Sequence, residues 1–405
     1  MSQTKSYVIP KRLIYSAYLR VKANKGSAGI DGQSLYDFEQ NLKNNLYKLW
    51  NRMSSGSYFP QAVKRVEIPK ADGGIRPLGI PTVADRIAQM AVKMQIEPEL
   101  EQHFHPNSYG YRPNKSAHQA VALVRERCWQ RAWVLDMDIK GFFDAIDHEL
   151  LLKAVDKHVE ENWQRLYIRR WLQAPVQHPD GSIEQKTQGT PQGGVISPLL
   201  ANLFLHYAFD IWLGKHCSGI QFVRYADDIV CHCKTQQEAE QLQNILTKRL
   251  NQCGLTLHPK KTKIVYCKSW KYKAKYERVS FDFLGFTFRP RLTKMQTGQL
   301  LVCFLPAISQ KACKRIRDAI NAWSWSTWVQ LEIKDIIRYS HSKLRGWMAY
   351  YEKFGQGRIK HVLFHFDQKL SRWAKRKYKS LKSKAQAVKR VIAFKQRNPK
   401  LLAHW

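Results

Sequence analysis

The chain has 405 residues, of which 44% are hydrophobic, and this length accommodates two or three domains with sizeable cores. It contains no apolar run long enough to cross a membrane, and its N-terminus lacks a signal-peptide core, so we expect a cytoplasmic protein without a membrane span. The net charge of +35 predicts a polyanionic partner.

Hydrophobic periodicity and turn residues predict a body of mixed helices and strands followed by a basic helical region. The predicted elements, in chain order, are helices within residues 1–60, a strand at Val63–Pro69, a helix at Asp85–Gln102, a helix-turn-helix-like stretch at Ser116–Trp129, a strand at Trp133–Ile139, a buried helix at Ser197–Trp212, strands on both sides of Asp227–Asp228, an amphipathic helix at Gln236–Cys253, and, after Pro290, helices at Ser309–Ala322, Ile333–Phe354 and Arg358–Tyr378.

Two basic residues flank a predicted turn in the N-terminal half. Val63–Pro69 reads as a strand, and Ala71-Asp72-Gly73-Gly74 reads as a turn that leads into a second strand. The resulting hairpin brings Lys70 and Arg76 together. From the residues alone, they read as two surface cations on a hairpin.

An acidic residue closes a short apolar strand. Asp136 and Asp138 alternate with Leu135 and Met137, so the two acids share one face. A carboxylate at the end of a buried strand is costly unless it is paired or bound to a metal ion. The alternative is a strand whose acids meet solvent or a lysine.

Two adjacent aspartates occupy a predicted hairpin tip. Phe222–Tyr225 and Ile229–Val230 are β-forming runs on either side of Asp227 and Asp228. Neighbouring carboxylates repel each other unless a cation neutralises them. Hard divalent ions prefer such oxygen ligands beside substrate phosphates. With Asp138 on a neighbouring strand, the pair predicts a two-metal site for in-line phosphoryl displacement. Alone, the pair is equally typical of a solvated turn.

The positive charge is concentrated near the C-terminus. Residues 291–405 contain 26 Lys or Arg against five Asp or Glu, and residues 368–405 contain 13 basic residues and no acid. Solvated helix faces mix both signs of charge, so this one-sided excess predicts binding to nucleic acid. Exposed aromatic residues in the same region could stack on bases.

Several motifs follow one another between about Gly26 and the end of the chain. They are Gly26-Ser27-Ala28-Gly29-Ile30-Asp31-Gly32, Ile68-Pro69-Lys70, Gly74-Ile75-Arg76-Pro77-Leu78-Gly79-Ile80-Pro81, Ser108-Tyr109-Gly110-Tyr111-Arg112-Pro113, Asp138-Ile139-Lys140-Gly141-Phe142-Phe143-Asp144, Gln188-Gly189-Thr190-Pro191-Gln192-Gly193-Gly194-Val195-Ile196-Ser197-Pro198, Tyr225-Ala226-Asp227-Asp228 and Phe283-Leu284-Gly285-Phe286. In this order they resemble the motifs of the reverse transcriptases encoded by bacterial group II introns, which are also called maturases.

The resemblance implies an α+β right-hand polymerase of fingers, palm and thumb, with an antiparallel palm sheet and a basic helical thumb, the maturase or X domain. It implies an N-terminal extension and start of the fingers at residues 1–60, fingers and palm at 61–290, and the thumb at 291–405. The implied activity is RNA-directed DNA synthesis from dNTPs, together with binding of intron RNA that assists splicing and mobility, including insertion at a DNA target.

The resemblance also implies roles for individual residues. Asp138, Asp227 and Asp228, with the backbone carbonyl of Ile139, would bind two Mg²⁺ ions, for which Mn²⁺ could substitute. The residues implied in the nucleotide pocket are Lys70, Arg76, Gln192 and Phe143, whose ring would exclude a 2′-hydroxyl. Those implied in the primer grip are Phe283, Leu284, Gly285 and Phe286. Those implied in template or RNA binding are Gly26, Ser27, Ala28, Gly29, Arg112, Lys375, Arg376 and Lys377.

Two other functions remain open from the sequence. One is a reverse transcriptase adapted to phage defence, to a retron or to a CRISPR system. The other is a splicing cofactor that binds RNA without catalysis, although binding alone has no use for clustered acids in a basic protein. Many members of the family that this sequence resembles continue into a DNA-binding region and a nuclease. We assign no nuclease to this sequence.

Overall fold

The computed structural model describes residues 6–69, 74–294, 297–355 and 357–405. The helices within these ranges are α1 (Lys11–Asn24), α2 (Leu35–Gln40), α3 (Leu42–Ser54), α4 (Val83–His103), α5 (Ala117–Gln130), α6 (Phe142–Ala145), α7 (His148–His158), α8 (Asn162–Leu172), α9 (Ser197–Leu205), α10 (Ile211–His216), α11 (Gln236–Gln252), α12 (Gln310–Asn321), α13 (Ile333–Tyr351), α14 (Arg358–Lys377) and α15 (Lys384–Arg397). A π-helix at His206–Asp210 joins α9 to α10, and a 3₁₀-helix spans Thr327–Gln330.

The strands are short and mostly antiparallel. They are β1 (Val63–Pro69), β2 (Ile75–Ile80), β3 (Trp133–Met137), β4 (Val176–Gln177), β5 (Ile183–Glu184), β6 (Gln221–Tyr225), β7 (Asp228–Cys233), β8 (Lys263–Tyr266), β9 (Phe281–Phe283), β10 (Phe286–Lys294) and β11 (Leu300–Ile308). One sheet has the order β2-β1-β4-β5 and another the order β11-β10-β9, while β7 lies between β6 and β3. This mixture of helices with antiparallel sheets is the predicted fold class.

The chain divides into two compact units. The first comprises Met1–Ser116 and Leu135–Lys263, and the second comprises Ala117–Val134 and Ile264–Trp405. In the first unit, α9 packs against α4 and α7 and is buried over nearly its whole length. In the second unit, Phe286, Phe288 and Phe304 of the β10–β11 ribbon are fully buried.

Side-chain caps explain where several helices begin. The hydroxyls of Thr82, Thr235 and Ser309 accept a hydrogen bond from the backbone N–H three residues later, at the starts of α4, α11 and α12. Ser34 and Ser383 form capping boxes at the starts of α2 and α15. Each cap satisfies a backbone donor that has no partner within its helix. The sequence therefore fixes these boundaries locally.

Two sequence-based expectations about secondary structure are wrong, and one helix was not predicted. Ser116–Trp129 is one continuous helix, α5, because no turn residue interrupts it. The helical region begins at Gln310, and Pro290 lies inside β10, which pairs with β11 along nine residues. A fourth helix, α15, follows the three that we expected. Its start is marked by the Ser383 capping box rather than by a strong apolar stripe.

Candidate active site

The Asp227–Asp228 pair lies at the tip of a tight hairpin. Tyr225 at the end of β6 pairs with Asp228 at the start of β7, so only Ala226 and Asp227 form the turn. Ala226 has a φ of 56°, and a two-residue hairpin turn with a positive φ at its first position has the sense that matches the strand twist. This backbone presents two consecutive carboxylates beyond the sheet.

Asp138 occupies the corresponding end of the neighbouring strand. It follows β3 directly, and the next residue, Ile139, is 3% exposed and bridges to Leu257. The Asp138 carbonyl accepts a hydrogen bond from the His258 N–H at 2.8 Å, which fixes the backbone at this strand end. Strands β7 and β3 are adjacent. The hairpin pair and Asp138 therefore lie at the same part of the sheet.

The charge of Asp138 acts on both carboxylates of the hairpin. Desolvation, followed by the charges of Asp227 and Asp138, raises the pKa of Asp228 to about 7. Asp228 has solvent contact, yet protein atoms surround its carboxylate closely enough for desolvation to dominate. Desolvation and the charge of Asp138 also raise the pKa of Asp227, while the charges of Arg76 and Arg224 lower it. Such mutual repulsion identifies a group of acids that a cation would stabilise.

Lys261 neutralises part of this charge. The Lys261 Nζ lies 3.6 Å from the Asp138 Oδ2, and its charge lowers the pKa of Asp228. Among the described residues, no three acidic, histidine or cysteine side chains converge closely enough to form a metal site as they stand. The Lys261 ammonium occupies the place of a cation beside Asp138. Carboxylate oxygens are nevertheless the ligands that hard divalent ions prefer, so the donor set fits such an ion.

The loop after β5 holds the residues of the predicted nucleotide pocket close to one another. The Thr190 N–H donates to the Phe143 carbonyl at 2.7 Å, and the Gln192 Nε2 donates to the Asp144 Oδ2 at 3.4 Å. Gln192 and Asp144 line a cavity of about 240 Å³. Phe143 is partly exposed, whereas Phe142 is 2% exposed and belongs to the core. This difference favours Phe143 as the ring that faces substrate.

The same loop is anchored to the β1–β2 hairpin. The Gly79 N–H donates a hydrogen bond to the Gln192 carbonyl at 2.6 Å. Gly193 has a φ of 115°, and a Cβ at this position would stand 2.4 Å from the Gly79 carbonyl oxygen. Arg76 lies on β2 and is exposed, with its charge acting on Asp227. Lys70 lies outside the described residues. The structure thus brings Arg76, Gln192 and the acidic hairpin into one unit.

The predicted primer grip is a second tight hairpin, in the other unit. Phe283 pairs with Phe286, and the two residues between them, Leu284 and Gly285, both have positive φ values of 49° and 80°. The Tyr350 hydroxyl donates to the Leu284 carbonyl at 2.9 Å. Phe286 is fully buried against Tyr350 and its neighbours on α13. Of this motif, the turn is therefore the part available to a ligand.

Residues predicted to contact template or RNA have mixed surroundings. Gly29 is buried against the start of α4, and the Arg86 Nη2 donates to the Ser27 carbonyl at 2.8 Å, while Gly26 and Ser27 are exposed and Ala28 is partly exposed. The Arg112 side chain is 5% exposed and pairs with Glu101 at 2.9 Å, so its guanidinium is occupied within the protein.

The three basic residues at the end of α14 also differ from one another. Lys377 donates to the Leu331 carbonyl at 2.8 Å and pairs with Glu332 at 2.9 Å. Lys375 and Arg376 are exposed.

No helix among the described residues is long and apolar enough to cross a membrane.

Comparison with known proteins agrees with this geometry. A family model described as "Reverse transcriptase (RNA-dependent DNA polymerase)" matches residues 68–288, and one described as "Group II intron, maturase-specific domain" matches residues 313–392. Protein YkfC of Escherichia coli K12 is 32% identical over 75% of this chain and 86% of its own length.

A second relative is a much longer protein. The group II intron-encoded protein LtrA of Lactococcus lactis subsp. cremoris is 34% identical over 49% of this chain, a stretch that makes up only 33% of LtrA. Among solved structures, a telomerase from Candida albicans in complex with a fragment of telomeric RNA has a TM-score of 0.47 and 11% identity, over 91% of this chain and 69% of its own.

The first family model covers more than half of the chain and includes the acidic hairpin, Asp138 and the nucleotide-pocket loop. The predicted enzyme class and family are confirmed by the two family models. The chain belongs to the reverse transcriptases, the RNA-dependent DNA polymerases, and carries the maturase-specific domain of group II intron proteins.

Proposed function

We propose that this reverse transcriptase extends a DNA primer on an RNA template from dNTPs, with Asp138, Asp227 and Asp228 as ligands of two Mg²⁺ ions. The observation that carries the proposal is the meeting of these carboxylates at one end of the sheet beside Lys261, where the charge of Asp138 raises the pKa of both Asp227 and Asp228. Reverse transcriptases use divalent metal ions, which lower the pKa of the primer hydroxyl and neutralise charge on the departing pyrophosphate. Mn²⁺ shares the preference for oxygen ligands and would substitute.

The side chains around the acids have complementary roles in this proposal. Arg76 would hold the triphosphate, together with Lys70. Lys261 would leave Asp138 for a substrate phosphate, because a lysine ammonium moves freely on its stem. The Phe143 ring would lie under the sugar and exclude a 2′-hydroxyl, while the Gln192 amide would contact the nucleotide from the adjacent loop. The turn at Leu284–Gly285 would support the primer end.

We further propose that the second unit binds the intron RNA in which the chain is encoded and thereby assists its splicing and its insertion at a DNA target. The maturase-specific match lies in this unit and covers α13 and α14. Lys375 and Arg376 project into solvent at the end of α14. A-form RNA is recognised largely by shape and backbone, for which basic helices suffice. The maturase-specific domain favours this function over a retron or defence role.

The test is primer extension on an RNA template with Asp227→Asn, which preserves size and removes the charge. We expect kcat to fall about 1000-fold or more, because loss of a metal ligand removes several kcal/mol of transition-state stabilisation. Asp180→Asn is the matched control, since Asp180 lies at an exposed turn between β4 and β5, where its carboxylate accepts hydrogen bonds from Ser182. Both variants should bind intron RNA as tightly as the unaltered protein. Full activity in Asp227→Asn would refute the assignment.

A further inference from the structure

A fully buried ion pair lies directly behind the acidic hairpin. Arg224, the residue before Tyr225 in β6, donates from Nε to the Asp210 Oδ1 at 2.8 Å and from Nη2 to the Asp210 Oδ2 at 2.6 Å. Both side chains are 0% exposed. A bidentate contact of this kind fixes the orientation of the guanidinium as well as its position.

The same guanidinium reaches the turn itself. Its Nη1 donates to the carbonyl of Ala226 at 3.2 Å and to the Asn202 Oδ1 at 2.9 Å. Ala226 immediately precedes Asp227 and carries the positive φ that closes the turn. A non-glycine residue with positive φ is uncommon and persists where its surroundings hold it in place.

Asn202 extends this contact to the opposite side of the turn. Its Nδ2 donates to the Gly110 carbonyl at 2.7 Å. The Gly110 backbone lies so close to the turn that a Cβ there would stand 2.4 Å from the Ala226 nitrogen. The Tyr109 N–H also donates to the Arg224 carbonyl at 2.8 Å. The turn is thus held between the Gly110 backbone and the Arg224 guanidinium.

The π-helix at His206–Asp210 gives Asp210 its position. Each helical residue turns the chain by about 100°, so the extra residue of a π turn redirects every side chain that follows it. The carbonyls of Tyr207 and Ala208 accept hydrogen bonds from Arg249 of α11, at 3.2 and 3.1 Å. Interruptions of this kind occur frequently at functional sites. Here the interruption ends at the acid that holds Arg224.

Stability alone does not require such a pair. Replacing a buried ion pair by apolar residues of similar volume is often neutral or stabilising, whereas removing one partner leaves a buried charge and is strongly destabilising. An Arg that also donates to the turn has a use that an apolar residue cannot supply. This difference allows a positioning role to be separated from a structural one.

We propose that Asp210, Arg224 and Asn202 are positioning residues that fix the Ala226–Asp227 turn, and with it the Asp227 and Asp228 carboxylates, from behind the sheet. The proposal rests on the role given above to those carboxylates. None of the three positioning residues contacts substrate in this assignment. They act through the backbone of the turn.

The decisive variant is the apolar replacement Asp210→Leu with Arg224→Met. It removes both charges, so we expect it to melt within a few degrees of the unaltered protein. We expect kcat for dNTP incorporation to fall at least tenfold while KM for dNTP changes less than twofold, because the carboxylates are displaced but the nucleotide pocket is intact. Amide hydrogen exchange at residues 225–228 should accelerate at least tenfold in the protein without substrate or metal.

A second variant and a control complete the test. Asn202→Ala removes the hydrogen bonds to Gly110 and from Arg224 but leaves the Asp210–Arg224 pair in place. It should accelerate exchange at the same amides even if the double variant does not fold. Asp85→Asn alters another buried carboxyl of the same unit, which is bound by Tyr58 and Thr82. It should lower the melting temperature without changing exchange at residues 225–228.

The outcomes separate this proposal from the function on which it rests. A folded double variant with unaltered kcat and unaltered exchange, or unaltered exchange in Asn202→Ala, would overturn the positioning role. An unaltered protein that incorporates no dNTPs would overturn the proposed function instead. The exchange measurement would still decide whether the three residues hold the turn.

Discussion

Gly193 offers a test of the loop that connects the nucleotide pocket to the β1–β2 hairpin. Its φ of 115° lies outside the range that L side chains adopt readily, and a Cβ added to it would stand 2.4 Å from the Gly79 carbonyl oxygen. Gly193→Ala therefore requires the loop to move away from β2. That movement breaks the hydrogen bond from the Gly79 N–H to the Gln192 carbonyl.

The expected cost follows from these two effects. Forcing an L residue into such a backbone conformation costs about 1–3 kcal/mol, and losing the hydrogen bond costs about 1 kcal/mol more. A loss of 2–4 kcal/mol in the free energy of unfolding lowers the melting temperature of a unit of this size by about 4–16 °C. Because Gln192 moves with the loop, KM for dNTP should also rise several-fold.

Thermal unfolding followed by circular dichroism, together with steady-state primer extension, measures both effects. Gly219→Ala is the matched control, because a Cβ at Gly219 would meet no atom within 4 Å and its φ is not in the positive range. The reasoning would be refuted if Gly193→Ala melted together with the control, or if it destabilised the protein without changing KM.

Three further outcomes are expected. The pKa of Asp228 is about 7, so Mg²⁺ must displace a proton at pH 6 but not at pH 8. The affinity for Mg²⁺, measured by calorimetry, should therefore be about tenfold weaker at pH 6. Asp228→Asn should abolish this dependence. Phe143→Val should raise incorporation of rNTPs relative to dNTPs in competitive primer extension, whereas Phe142→Ala should instead destabilise the fold by about 3–5 kcal/mol in chemical denaturation. Tyr350→Phe removes the donor to the Leu284 carbonyl and should lower stability by about 1 kcal/mol and raise KM for the primer–template; an unchanged KM would separate this turn from the primer.

Local chemistry made much of the fold predictable. The Asp227–Asp228 hairpin follows from β-forming runs separated by a two-residue turn, and the boundaries of α4 and α11 follow from caps and apolar periodicity. In each case the signal lies within about ten residues of the structure it predicts. The sequence does not predict the β10–β11 ribbon, because Pro290 indicates the end of a strand. In the structure Pro290 lies within β10 and pairs with Phe304 of β11, on the other side of a turn.

The surroundings of the acids could not be predicted in the same way. Arg112 lies within one family motif and Arg224 immediately before another. Arg112 pairs with Glu101 and Arg224 pairs with Asp210, and no pattern in the neighbouring sequence predicts either partner. The available clue for Asp210 was its charge within the apolar run of the buried helix, because a buried carboxylate needs a partner. Its partner, Arg224, lies 14 residues later in the sequence, and the π turn determines that Asp210 faces it.

Two cations of different mobility lie beside the carboxylates of the acidic hairpin. Lys261 faces Asp138 from the front, and Arg224 lowers the pKa of Asp227 from behind. The two cations differ in mobility, because Lys261 is about half exposed whereas Arg224 is fixed by Asp210. In the proposed function, the mobile cation would yield to metal and phosphate, while the fixed one would keep the carboxylates in place throughout.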